Sequence, residues 1–81
     1  MFFQLILGCF EQGIAYPGND LDGTPRKGDS PEECQQLCQE TSGCNVFTYW
    51  PSNRNCWLKT MKGQSQENYA TISGAKSCNG K

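Results

Sequence analysis

The sequence predicts a small, disulfide-rich α+β domain, and three observations point there. Six cysteines (Cys9, Cys34, Cys38, Cys44, Cys56 and Cys78) are spread along only 81 residues. A chain this short buries about 60–65% of the surface its unfolded form exposes, so it depends on covalent staples. One segment carries every local mark of a capped helix, and the segments after it switch to β-branched and aromatic residues.

The cysteines read as a disulfide framework formed in an oxidising compartment. Zinc is the rival, but Cys34 and Cys38 form the only close pair, C-x3-C, and the chain has no histidine. Zinc sites couple such a pair to a second pair or to histidines. No metal or other cofactor is therefore expected. Seven basic residues face eight acidic ones, without a run of either sign. That leaves no basic face for nucleic acid.

Met1 to Gly8 is apolar but far shorter than the ~20 residues of a membrane span. It also lacks a basic flank and a small-residue cleavage site, so it does not read as a signal peptide. Residues 1–8 are expected to be a linker or expression remnant of a longer secreted precursor, the alternative being an edge strand through Phe3, Leu5 and Leu7. The domain proper covers 9–78, and 79–81 form a tail.

Phe10 to Tyr16 suits a short strand, ended by Pro17-Gly18. The run to Pro25 is dense in turn formers. Asp20 and Asp22 suggest calcium, but Pro31 stands where an EF-hand requires its last glutamate, so a structural turn is the better reading.

Ser30-Pro31-Glu32-Glu33 is the strongest helix start in the chain. Ser30 caps a free N–H, Pro31 suits the first helical position, and Glu33 completes a capping box. The helix should run from Pro31 to Ser42 with Gly43 as terminator. Cys34, Leu37, Cys38 and Thr41 then share a buried face, and Glu32, Gln35, Gln36, Gln39 and Glu40 cover the others.

Asn45 to Trp50 and Cys56 to Thr60 suit two strands of an antiparallel hairpin, joined by a loop over Pro51 to Asn55. Phe47 and Tyr49 share one face of the first strand, and Val46, Thr48 and Trp50 the other. On the second, a core-facing Cys56 and Leu58 would send Trp57 and Lys59 outward or under a loop. Met61 to Asn68 is polar, with a short helical turn expected at Gln66–Asn68. Tyr69 to Ala75 returns to strand character ahead of Cys78.

Catalysis finds no support. Without histidine no Ser-His-Asp or Cys-His unit can be assembled, no thiol is left over from the framework, and no GxxxxGK phosphate loop exists. The acidic side chains fall mainly in loops and on the helix surface, away from the paired arrangement of glycosidases. Binding is the expected role. A sugar site needs an aromatic platform flanked by polar groups, and Trp50 with Arg54 and Asn55, or Trp57 with Lys59, are the candidates. Lys59, Lys62 and Arg54 together would instead suit an acidic glycan or a partner's acidic patch. Against this stands the usual fate of an aromatic in a small β-rich domain, which is to pack in the core.

Taken in order, Cys9-Phe10-Glu11, the capped helix with Cys34-x3-Cys38, Cys44-x2-Phe47-Thr48-Tyr49, Cys56-Trp57-Leu58-Lys59 and Ile72-Ser73-Gly74-x3-Cys78 resemble the PAN/apple domain family. Its members include modules of plasma prekallikrein and coagulation factor XI and adhesins of apicomplexan micronemes. The loop Gly18-Asn19-Asp20-Leu21 is most similar to the parasite branch. The resemblance implies an antiparallel sheet curved around one helix, with pairs Cys9–Cys78, Cys34–Cys56 and Cys38–Cys44, whereas spacing by itself leaves the pairing open. A fourth bridge found in some plasma modules is absent here. The resemblance also implies a non-catalytic, secreted module, stored in micronemes in the parasite branch. As one of several tandem copies it would bind a protein receptor or partner. The alternatives are a lectin-like module for cell-surface glycan and an apple domain of a secreted serine protease zymogen.

Overall fold

The computed structural model describes residues 9–78, so both expectations for residues 1–8 lie outside the described residues. The elements are β1 (Phe10–Ala15), β2 (Arg26–Lys27), α1 (Pro31–Glu40), β3 (Val46–Trp50), β4 (Asn55–Lys59) and β5 (Gln66–Ala75). All strand pairs are antiparallel, in the order β1-β5-β3-β4-β2. The helix covers one face of this sheet, against β3, β5 and β4.

The helix starts as its sequence dictates. The Ser30 side chain accepts from the Glu33 N–H, and Pro31 opens the first turn. Glu33 reaches back to the N–H of Asp29 rather than that of Ser30, so the expected box closes one residue early. The helix ends at Glu40, two residues before the expected Ser42. Thr41 leaves helical geometry and donates its hydroxyl to the Leu37 carbonyl. Gly43, at φ +87°, makes the turn that follows.

Cys34 and Cys38 are fully buried from adjacent turns of α1. Cys34 bonds to Cys56 on β4, Cys38 bonds to Cys44 just beyond the helix, and Cys9–Cys78 ties the ends of β1 and β5. These are the pairs the resemblance implies. Phe47, Tyr49 and Leu58 join the four buried sulfurs in the core, with Phe10 and Leu37 packed at its edge. Phe10 meets Phe47 edge-on, ring centroids 5.9 Å apart, a favoured aromatic geometry. Gly28 shows how tightly this layer closes: a Cβ there would lie 2.6 Å from the Cys56 sulfur. The carbonyl of Gly28 also accepts the Tyr49 hydroxyl.

Three further local expectations need correction. Gln35 is buried, because its amide donates to the Ala75 carbonyl and lies beside the sulfurs of Cys9 and Cys78. The hairpin turn is one residue shorter than expected: Arg54 takes φ +63° and Asn55 already belongs to β4. Gln66–Asn68 is strand, not a helical turn, because Gln66 and Glu67 pair with Ala15 and Ile14 on β1. Just past the turn-rich run that ends at Pro25, Arg26–Lys27 forms a two-residue edge strand on β4.

Candidate functional site

The face of the sheet away from the helix carries Thr48 and Trp50 from β3, Trp57 and Lys59 from β4, and Ser73 from β5, as the alternation of strand side chains requires. Thr48 pairs with Trp57 and Trp50 with Asn55. The two tryptophans are therefore diagonal neighbours on one face, within aromatic reach. Both are half-buried.

The loop after β1 covers part of this face. Tyr16 is buried, its N–H donating to the Thr48 hydroxyl and its own hydroxyl donating to Glu11. Burial pushes the Tyr16 phenol above its ordinary pKa, and the Glu11 carboxylate adds to the rise. Further along, Leu21 donates to the Leu58 carbonyl and Thr60 donates to the Asn19 carbonyl, laying the loop beside β4. Lys59 is held beneath it, its side chain only 5% exposed. Its ammonium donates to the Gly18 carbonyl and pairs with the carboxylate of Asp20.

A cavity of about 330 Å³ opens between this loop and the sheet, lined by Tyr16, Asp20, Thr48, Trp50, Trp57 and Lys59. Gln66 and Asn68 form its remaining polar wall. They are placed there by an irregularity in the β1–β5 ladder, where Gln12 pairs with Ile72 but Ile14 pairs with Glu67. The extra β5 residues close on themselves: the Asn68 side chain accepts from the Ala70 N–H, and Thr71 donates to the Asn68 carbonyl. Gly13, at φ +75°, supplies the bend on β1.

The cavity floor has no spare proton. Ser73 spends its single hydroxyl proton on the Ile14 carbonyl, so Thr48 must be the donor in the 2.8 Å Thr48–Ser73 bond, and Thr48 in turn accepts from Tyr16. The rim differs. An ammonium has three protons, and Lys59 commits two, while one Asp20 oxygen is left over. A donor and an acceptor therefore sit side by side, next to two indoles.

The sequence candidates thus divide. Trp50, Trp57 and Lys59 come together. Arg54 instead pairs with Asp29 at 3.0 Å and lines a separate depression with Lys27 and Asn53. Asn55 accepts from the Lys27 ammonium. Lys62 lies over the Tyr16 ring, 5.3 Å from its centroid. Of the three cations read together in the sequence, Arg54 lies apart from Lys59, and each already faces a carboxylate or an aromatic ring. Sequence reasoning missed Tyr16, Thr48, Gln66 and Asn68. It read Asp20 as a turn residue, when its partner lies 39 positions away.

The model of the PAN domain family matches residues 14–59. A PAN domain-containing protein of Acanthamoeba polyphaga mimivirus is 44% identical over 36 residues, which are 44% of this chain and 16% of that protein. Among solved structures, TgMIC4-A5 in a complex with lacto-N-biose superposes with a TM-score of 0.75 at 23% identity, over 86% of this chain and 99% of that one. The two N-terminal apple domains of Toxoplasma gondii microneme protein 4 give 0.68 at 25% identity, over 86% of this chain and 45% of that one. A PAN module from Eimeria tenella gives 0.61 at 25% identity, over 86% of this chain and 80% of that one.

Proposed function

The chain belongs to the PAN domain family, and from that premise we propose that it is a non-catalytic, extracellular adhesion module that binds a cell-surface glycan in the cavity beside Trp50 and Trp57. The observation that carries this reading is the Lys59–Asp20 pair at the rim of an indole-lined cavity. A pyranose has an apolar face of C–H groups that stacks on an aromatic ring, and neighbouring hydroxyls that each donate and accept. The free Lys59 proton meets one hydroxyl and the free Asp20 oxygen accepts from the next. Because the two charges offset each other, the site favours a neutral sugar. A volume of about 330 Å³ lies at the lower end of ligand cavities, which suits a single ring. TgMIC4-A5, which shares the fold, has been solved with a neutral disaccharide, and that supports the same reading.

Titration of tryptophan fluorescence with galactose and with lacto-N-biose tests it. Saturable quenching that Trp57→Ala and Lys59→Met abolish is the expected result, and a flat titration with every neutral sugar removes the proposal. Weak binding by one copy suffices if the module is one of several in tandem, since linkage multiplies apparent affinity.

Binding to a partner protein is the second reading. It is favoured by Tyr69, 88% exposed, and Met61, 56% exposed. Isolated apolar side chains of this kind are common on soluble proteins, so the cavity carries more weight.

A further inference from the structure

We infer that the glycan site continues past Tyr16 into a second subsite formed by Glu11, Asn45 and Lys62, which takes the next neutral pyranose of an oligosaccharide. The inference rests on the glycan reading of the first cavity and extends it.

A second depression, of about 340 Å³, opens on the same side of the sheet, with Glu11, Asn45, Val46 and Lys62 along its wall. Val46, on the wall of the second depression, and Thr48, on the wall of the first, point to one face of β3 at an offset of about 7 Å along the strand, while Lys59 of the first wall pairs directly with Val46. That offset is comparable to one sugar ring with its glycosidic oxygen. Tyr16 links them: it lines the first, and its hydroxyl donates to Glu11, which lines the second.

The polar groups of the second depression are underused by the fold. Lys62 stands in neither ion pair among the described residues, and its polar partner is Tyr16, over whose ring it lies and with whose hydroxyl it interacts, which leaves protons of its ammonium uncommitted. Glu11 commits one oxygen to Tyr16 and keeps the other. Asn45 donates its amide to the Thr60 carbonyl and keeps its own amide oxygen as acceptor. One cationic donor and two acceptors around a half-apolar floor match the hydroxyls of a pyranose. The offset of Lys62 by Glu11 argues for a neutral ring here as well. Lys62 lies over the ring between the two depressions, where the ammonium meets the bridging oxygens of a chain that crosses it.

The test is an isotope-labelled NMR titration of the domain with galactose, lacto-N-biose and lacto-N-tetraose. Galactose should shift the Trp50 and Trp57 indole signals while leaving the Glu11, Asn45 and Lys62 amides in place. The tetrasaccharide should move both sets and bind about fivefold to tenfold more tightly, the gain of one or two added hydrogen bonds. Lys62→Ala should erase that gain without changing galactose affinity, and Lys62→Arg should restore it. Equal affinity for the short and long sugars overturns the second subsite and leaves the first intact, as does an equal loss of both in Lys62→Ala. If galactose fails to shift either indole, the parent reading falls and the extension goes with it.

Discussion

The two faces of the sheet are built on opposite principles. Facing the helix, Phe47, Tyr49 and Leu58 pack against four fully buried sulfurs, with the Tyr49 hydroxyl and the Gln35 amide as polar groups at its margin. On the opposite face, beside buried Val46 and Tyr16, lie the buried polar groups Thr48, Thr71, Ser73 and Lys59, held by hydrogen bonds to one another's chains and to a loop. Buried polar groups cost free energy unless paired, so they add little stability. On the proposed reading, what they provide is a fixed set of directions for recognition. The module thus keeps its stability on one side and its chemistry on the other, and substitutions on either side should be separable.

Full reduction is the harshest way to break that division. Chain-entropy estimates give about 3 kcal/mol for a medium loop and about 4 for the longest, so three bridges together rival the ~5–15 kcal/mol stability of a typical domain. Excess dithiothreitol should unfold the domain, read as loss of the near-ultraviolet dichroism of its aromatic side chains. An unchanged melting curve in reductant would contradict the division at its root.

Phe47→Ala comes next. It empties the centre of the helix-side core and should cost about 3–5 kcal/mol in a denaturant melt, while sugar affinity per folded molecule is retained. Loss of binding in the folded fraction would mean that the faces are coupled.

Lys59→Met inverts the pattern. It removes the ammonium but keeps the stem, at a cost of about 1–2 kcal/mol for the contacts of Gly18 and Asp20 left unpaired. Glycan binding should vanish at temperatures where the domain is still folded by circular dichroism.

The smallest effect is alkaline. Burial raises the pKa of both Tyr16 and Tyr49 above the ordinary 10.0. A group whose folded pKa is raised stabilises fully below its unfolded value, and that contribution fades as pH climbs through the folded one. Stability should therefore begin to fall above about pH 10, and Tyr16→Phe should flatten the fall. Since Tyr16 stands on the loop side and Tyr49 in the core, comparing their Phe variants shows which face gives way first.

Much of the helix-side architecture is legible in the sequence because its signals are local. Ser30-Pro31 announces the helix start, Cys34 and Cys38 lie one turn apart, and the alternation of β3 sends Phe47 and Tyr49 inward. The polar face is less legible. Trp50, Trp57 and Lys59 stand out by residue type, yet their separation from Arg54 and Lys62 depends on which carboxylate or ring each cation meets. Gln35 looks like a surface residue until the Ala75 carbonyl is brought to it. Gln66–Asn68 carries no strand signal of its own and becomes a strand because Ile14 and Ala15 offer unpaired backbone.

By itself, then, the sequence determined a stapled α+β domain with one capped helix and a hairpin rich in aromatics. Each of these follows from side-chain type and short-range periodicity, which act within a few residues. The tertiary structure alone decided that the loop after Tyr16 folds back on β4, that Asp20 meets Lys59, and that the floor hydroxyls turn inward. Those outcomes depend on groups brought together across dozens of residues, where the driving force is the need to satisfy a buried charge or hydroxyl once the chain has already closed around it.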